Sequence, residues 1–270
     1  MKDDITRKLT EEIKKANEII NYRSENFIKN YTGPFDSEIR ENIKIAREKQ
    51  LPLCQDTGMI EFFVFLPKNI NIDFDIEDML NRSVYNAYKE NYYRYSTVKD
   101  PLFERVNSKD NCPPVIHYMF HDKKNLEIKF LVKGGGSENL TSLFMLKPSS
   151  DKETVKKTII DYIKENGARG CPPLNIGIGI GGTSDKALML SKLALTYDFD
   201  ERNEKREYAE FETELTEELN RLKIGFQGLG RGISVYSVHI KQYPTHIAIL
   251  PVAVSVDCYL VRKGSVTLEI

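Results

Sequence analysis

Tryptophan is absent from this chain, and cysteine is scarce, with four residues in 270. So few cysteines cannot build the disulfide framework of a small secreted domain, which points to a reducing compartment. No two of them stand close together, which excludes a zinc ribbon or a CxxC redox pair. An excess of charge of one sign is missing as well. The formal net charge is −1, with no basic stripe for nucleic acid and no acidic tail. Long apolar runs are lacking too. The longest, around Ile247 to Val256, contains Pro251 and is only about half the length a membrane helix needs. The charged start Met1-Lys2-Asp3-Asp4 has no apolar segment of the secretory kind. A cytoplasmic protein that binds neither nucleic acid nor membrane is therefore expected. No internal repeat or low-complexity linker interrupts residues 1–270, and a chain 40% hydrophobic can bury a sizeable core. It reads as one compact α+β domain, a mixed β-sheet flanked by helices.

What is present alternates helical and extended patterns. Leu9, Ile13, Ala16 and Ile20 lie on one face of a predicted helix over 4–30, which Gly33-Pro34 ends. A second helix is predicted over 36–49, with Asp36 or Ser37 as its cap. The apolar run 60–66 predicts a strand, and 71–91 a helix with Asp75 near its start. Residues 115–120 and 126–132 read as a hairpin across 121–125. The segment 150–166 predicts a helix with Ser150 and Glu153 as a capping box and Gly167 as its stop. A glycine-studded strand over 175–180 precedes helices over 184–195 and 200–222. Strands over 233–240 and 247–256 close the chain.

The chemistry sits in the breaks. Cys54 lies in Cys54-Gln55-Asp56-Thr57-Gly58, Cys171 in Gly170-Cys171-Pro172-Pro173 and Cys258 in Asp257-Cys258-Tyr259. Three lone thiols from distant loops suit a cluster with one iron left open, where four thiolates would close it for electron transfer. Inert buried cysteine is the plain alternative. The 54–58 loop can ligate a metal and place the Asp56 base beside it, or it is a polar turn in which Asp56 caps its own backbone. Lys133-Gly134-Gly135-Gly136 can turn its amides inward to cradle an anion, or it is a flexible loop. Gly177-Ile178-Gly179-Ile180-Gly181-Gly182 fits the spacing of a nucleotide-binding glycine motif, but no second strand follows at the distance such a unit needs. A zinc protein using the three cysteines is a further alternative.

Together these residues resemble the alpha subunit of the iron–sulfur class I fumarate hydratase and L(+)-tartrate dehydratase family. The resemblance runs through residues 54–58, Arg94-Tyr95-Ser96, 107–111, 133–139, 170–173, 179–183 and 246–262. It implies a 4Fe–4S cluster on Cys54, Cys171 and Cys258, and it leaves out Cys112, where the family usually has another residue. It implies a pocket lined by Gln55, Arg94, Lys133, Gly134, Gly135, Gly136 and Arg262, with Asp56 and His246 as the catalytic pair. The reaction implied is the reversible hydration of fumarate to malate. The alternative is dehydration of L(+)-tartrate to oxaloacetate, and in either case the substrate is a small dicarboxylate. The family also pairs this domain with a smaller beta domain, so a separate beta subunit is expected to complete the site, in an α2β2 heterotetramer.

Overall fold

A computed structural model describes residues 2–69 and 72–269. The residues fall into two compact units. One is built from the N-terminal residues up to Glu25, from Ser37–Gly135 and from Arg262 onward, and the other from Asn26–Asp36 and Gly136–Val261. The α+β class expected from the sequence holds, with the strands divided between two mixed four-stranded sheets.

The first sheet is made of β1 (Met59–Pro67), β2 (Val115–His121), β3 (Asn125–Lys133) and β8 (Lys263–Glu269), in the order β2-β1-β3-β8. β1 runs parallel to β2 and antiparallel to β3. The hairpin predicted between β2 and β3 is therefore not formed, because β1 lies between them. The reason is apolarity. Phe62, Phe63 and Val64 of β1 are fully buried, whereas β2 alternates half-buried and exposed positions and takes the edge. The predicted helix over 4–30 is two helices, α1 (Lys2–Glu18) and α2 (Tyr22–Asn30). α3 spans Asp36–Lys49, as expected. α4 (Ile76–Lys89) starts later than predicted, capped by Asp75, whose side chain accepts from Asp78 N. Asn71, where that helix was expected to begin, lies outside the described residues. Ile5, Leu9 and Ile13 of α1 and Met79, Leu80 and Val84 of α4 pack with Phe62, Ile128 and Phe130 of the sheet. Each such fully buried side chain contributes roughly 1.5–3 kcal/mol.

The second sheet has the order β4-β7-β5-β6, from β4 (Ser142–Leu146), β5 (Leu174–Gly181), β6 (Val235–Tyr243) and β7 (Leu250–Asp257). Its helices are α6 (Lys152–Asn166), α7 (Ser184–Ala194) and α8 (Arg206–Arg221), and a single turn, α5 (Gly135–Glu138), follows β3. Ile159, Ile163, Leu215 and Leu219 of α6 and α8 bury against Ile176, Val238 and Ile240. The cap of α6 is Asp151, which accepts from Thr154 N at 2.8 Å, and not the Ser150 expected. Gly167 stays right-handed at φ −58° and leads into a 3-10 turn over Gly167–Gly170.

β5 explains its glycines. It is a central strand, paired with both β6 and β7, so its amides belong to the ladder. A Cβ on Gly177 would overlap Ser191 O, and one on Gly179 would overlap Ala187 O. The glycines let the backbone of α7 lie directly on the strand.

Candidate functional site

The first unit gathers Asp56, Gly134, Gly135 and Arg262. The loop between α3 and β1 turns at Gly58, whose φ is +73° and whose Cβ would press on Lys133 O at 2.8 Å, so only glycine fits. Asp56 Oδ1 accepts the Gly58 N–H at 2.9 Å, and Oδ2 accepts the Gly135 N–H at 2.8 Å. Asp56 thus does cap its own backbone, and it also reaches across to the glycine segment. The segment read from the sequence as an anion cradle or a flexible loop instead enters α5 at Gly135. The Gly135 amide that was expected to cradle an external anion already holds the Asp56 carboxylate. Gly134 stays small for the same reason, since a Cβ there would lie 3.1 Å from Asp56 Oδ2 and 3.4 Å from Arg262 Nη2.

The loop is braced from behind. Thr57 Oγ1 donates to Arg94 O at 2.6 Å, and the Tyr88 hydroxyl donates to Thr57 O and Gly58 O. Burial raises the Tyr88 pKa well above its ordinary value, so the hydroxyl remains a donor. Asn111 Nδ2 donates to Gly58 O at 3.0 Å while its Oδ1 accepts from Ser96 N at 2.7 Å, tying the loop to the segment after Arg94. Tyr93 donates to Glu18 at 2.6 Å, and burial followed by that bond raises its pKa strongly. Of the other expected residues in this unit, Gln55 and Arg94 are exposed, Cys54 is half-buried and Lys133 is buried at the end of β3.

The second unit places two of the expected cysteines on bonded backbone. The Tyr259 N–H, next to Cys258, donates to Cys171 O at 3.0 Å. Cys171 takes the left-handed conformation that the Gly167 stop was expected to supply, at φ 54° and ψ 63°. A non-glycine residue there costs about 1–2 kcal/mol, and such strain persists where surrounding bonds over-determine it. Val261, a β-branched residue at φ 47°, repeats the pattern as it closes the turn onto Cys258 O. Cys171 is exposed and Cys258 half-buried. His246 is exposed in the link between β6 and β7, and its Nδ1 accepts the Ala248 N–H at 3.1 Å, which leaves the proton of the neutral ring on Nε2. Gly136 is exposed.

Cys112, set aside from the sequence, behaves differently from the other three. Its sulfur lies 3.5 Å from Asn81 O and 3.6 Å from Asp110 O, and burial pushes its pKa up to about 11. It is a protonated thiol pointed at carbonyls. All four cysteines are thiols rather than disulfides. Among the described residues no group of three or more His, Cys, Asp or Glu side chains is already assembled for a metal ion. The donor chemistry fits the cluster nonetheless, with three sulfurs in loops, Cys171 exposed and Cys54 and Cys258 part-exposed, while the Cys112 thiol faces carbonyls.

Asn17 and Asn111 went unnoticed in the sequence as site residues. The signal for Asn17 is a polar residue next to Ala16 on the apolar face of α1, where it is fully buried.

The model of the family described as fumarate hydratase (Fumerase) matches residues 3–267. A protein of Methanocaldococcus jannaschii, provisionally named L(+)-tartrate dehydratase subunit alpha, is 41% identical over 233 residues, covering 84% of this chain and 81% of that protein. The L(+)-tartrate dehydratase subunit alpha of Escherichia coli strain K12 is 32% identical over 229 residues, covering 83% of this chain and 75% of its own length. That of Shigella boydii serotype 4 gives the same figures, 32% over 229 residues, with 83% and 75% covered. With nearly the whole chain matched and relatives at this identity, the chain belongs to the fumarate hydratase (Fumerase) family of hydro-lyases.

Proposed function

We propose that this chain is the cluster-bearing alpha subunit of a 4Fe–4S hydro-lyase acting on fumarate and malate. In this reading residues 1–270 form its catalytic domain, and it works in the cytoplasm with a beta subunit in an α2β2 assembly. The observation that carries it is the Cys54–Gly58 loop, in which a thiol stands two residues ahead of a carboxylate whose oxygens are both fixed by backbone amides. The names of the relatives, subunit alpha, support a beta partner.

Cys54, Cys171 and Cys258 would hold the cluster. When bound, it supplies a Lewis-acidic iron for the substrate's hydroxyl and one carboxylate. The chain's own residues do the rest. Arg94 and Gln55, both exposed, would offer charge and hydrogen bonds to a carboxylate, and Lys133 with Gly134 to Gly136 would contribute to the same pocket. Hydration adds OH to one carbon and H to its neighbour, so a residue must take or give a proton at carbon. Asp56 is oriented for this by its two amides, and His246 is the other candidate, through Nε2.

A second reading, dehydration of L(+)-tartrate to oxaloacetate, is favoured by the names of the relatives. It needs the same residues and one more polar contact for the extra hydroxyl. The test is anaerobic co-purification with the beta subunit, iron and sulfide analysis, and assay with fumarate, malate and L(+)-tartrate. Iron and sulfide with turnover of fumarate supports the first reading, and turnover of tartrate alone supports the second. Zinc without sulfide, or turnover of none of the three, would overturn both.

A further inference from the structure

We infer that Arg262 is a positioning residue, the tether that holds the Cys54–Gly58 loop and its Asp56 in place, and that it acts through the protein rather than on a substrate. Arg262 is only 3% exposed. Its Nη1 donates twice, to Asn17 Oδ1 at 3.0 Å and to the backbone carbonyl of Asp56 at 2.8 Å. Both protons of that nitrogen are therefore committed to internal acceptors, one on α1 and one on the loop. Nη2 lies beside Gly134, on the segment whose neighbour Gly135 binds the Asp56 carboxylate.

Each partner is fixed in turn. Asn17 Nδ2 donates to Ile13 O at 3.1 Å, and the Asn17 carbonyl accepts the Leu53 N–H at 2.8 Å, immediately before Cys54. The carbonyl of Arg262 accepts the Val132 N–H at 2.9 Å, which sets the arginine at the head of β8 against β3. One buried cation thus joins α1, β8 and the loop, and brackets Cys54 between two anchored residues, Leu53 and Asp56. Arg262 Nε is buried and makes no hydrogen bond. A guanidinium retained at this desolvation cost, when a smaller donor would reach either acceptor alone, indicates that spanning both acceptors is its role. The tether itself does not depend on the hydro-lyase reading, although its purpose there, presenting Cys54 and Asp56, does.

The test is hydrogen–deuterium exchange on the cluster-free chain, with Arg262→Ala, Arg262→Lys and Asn17→Ala beside the parent, combined with alkylation of each cysteine read by peptide mass. Arg262→Ala should speed exchange across residues 53–58 by about tenfold to a hundredfold, the range for loss of a charge-assisted bond. It should speed alkylation of Cys54 while leaving Cys171 and Cys258 unchanged. Arg262→Lys, which can reach one acceptor at a time, should restore part of the protection. Should Arg262→Ala fail to fold, Asn17→Ala carries the same expectation with a smaller local effect, since the bond to Asp56 O remains. Unchanged exchange over 53–58, or an equal rise over α4 and β1 that Arg262→Lys does not partly reverse, would overturn the tether. Because no cluster or substrate is present in these measurements, they stand or fall separately from the assay of fumarate and tartrate.

Discussion

At the scale of single residues, Cys112 differs from the other cysteines in that its sulfur faces two carbonyls. The Cys112 thiol is pushed up to about 11, by desolvation first and by the Asp110 carboxylate second. A raised pKa means less thiolate at any neutral pH, and thiolate is the form that alkylates and binds iron. Alkylation of Cys112 should therefore be slow at pH 7–9 and accelerate only as the pH rises through about 11. Cys112→Ser should leave iron content intact, whereas Cys54→Ser, Cys171→Ser and Cys258→Ser should each lose it; iron analysis after anaerobic reconstitution reads both. Asp56 carries two amides, so Asp56→Ala leaves the Gly58 and Gly135 N–H groups without acceptors and should lower stability by about 1–3 kcal/mol in chemical denaturation. In the reconstituted complex the same variant should lose far more turnover than iron. The importance of Cys54 and Asp56 was legible in the sequence because they stand in a loop dense with chemistry. The partners that fix Asp56 were not, because Arg262, Asn17 and Gly135 are far from it in the chain and only the fold brings them near.

At the scale of elements, caps and strand neighbours separate what local sequence can and cannot say. Helices α3 and α6 were legible from their cap signals and α1 and α8 from apolar spacing, and α7 was expected as a helix as well. The capping box at Ser150 was misplaced by one residue, since Asp151 competes for the same amides and a carboxylate accepts more strongly than a hydroxyl. Asp151→Ala should then lower stability by about 1 kcal/mol in thermal unfolding, and Ser150→Ala should be close to neutral. Strand pairing was illegible, because β1 enters between β2 and β3 from outside the segment that holds them. β4 and β8 were missed because they are only partly buried. In β5 the glycines have a clear consequence. Gly179→Ala would drive a methyl into Ala187 O, a clash of backbone against backbone, and should cost several kcal/mol or prevent folding. Glu212 of α8 adds a pH signature. Burial raises its pKa although it accepts from Ile240 N at 2.7 Å and Asn203 N at 3.0 Å. With the folded pKa above the unfolded one, the folded state binds the extra proton first. Its contribution is therefore fullest below the unfolded pKa and is lost as pH rises through the folded one. The stability of the parent relative to Glu212→Gln should fall as pH is raised across that window.

At the scale of the whole molecule, the question is how a small dicarboxylate is neutralised and where its proton goes. Arg94 and Lys133 are the cations proposed for the pocket, and Nη1 of Arg262 is already committed to Asn17 and Asp56. In the proposed reading, two cations and an open iron would balance the two carboxylates only if Lys133, buried at the end of β3, turned toward the substrate. In the proposed reading the proton would have to be handled on the face of the substrate away from the cluster, whereas Asp56 is held by the loop that begins at Cys54, a proposed ligand. A beta subunit supplying cations and a proton-transfer group resolves both difficulties, and the relatives are named as subunits. The isolated chain should therefore take up a cluster yet turn over fumarate and tartrate negligibly, and the beta subunit should restore turnover. In the restored complex Arg94→Ala should raise the barrier by roughly 2–5 kcal/mol, the range for leaving a buried charge unpaired. Air should abolish activity quickly, because three protein sulfurs leave one iron open to oxidants. Robust turnover by the chain alone, measured under anaerobic conditions with the cluster loaded, would show that the proton and both carboxylates are managed by the residues named here.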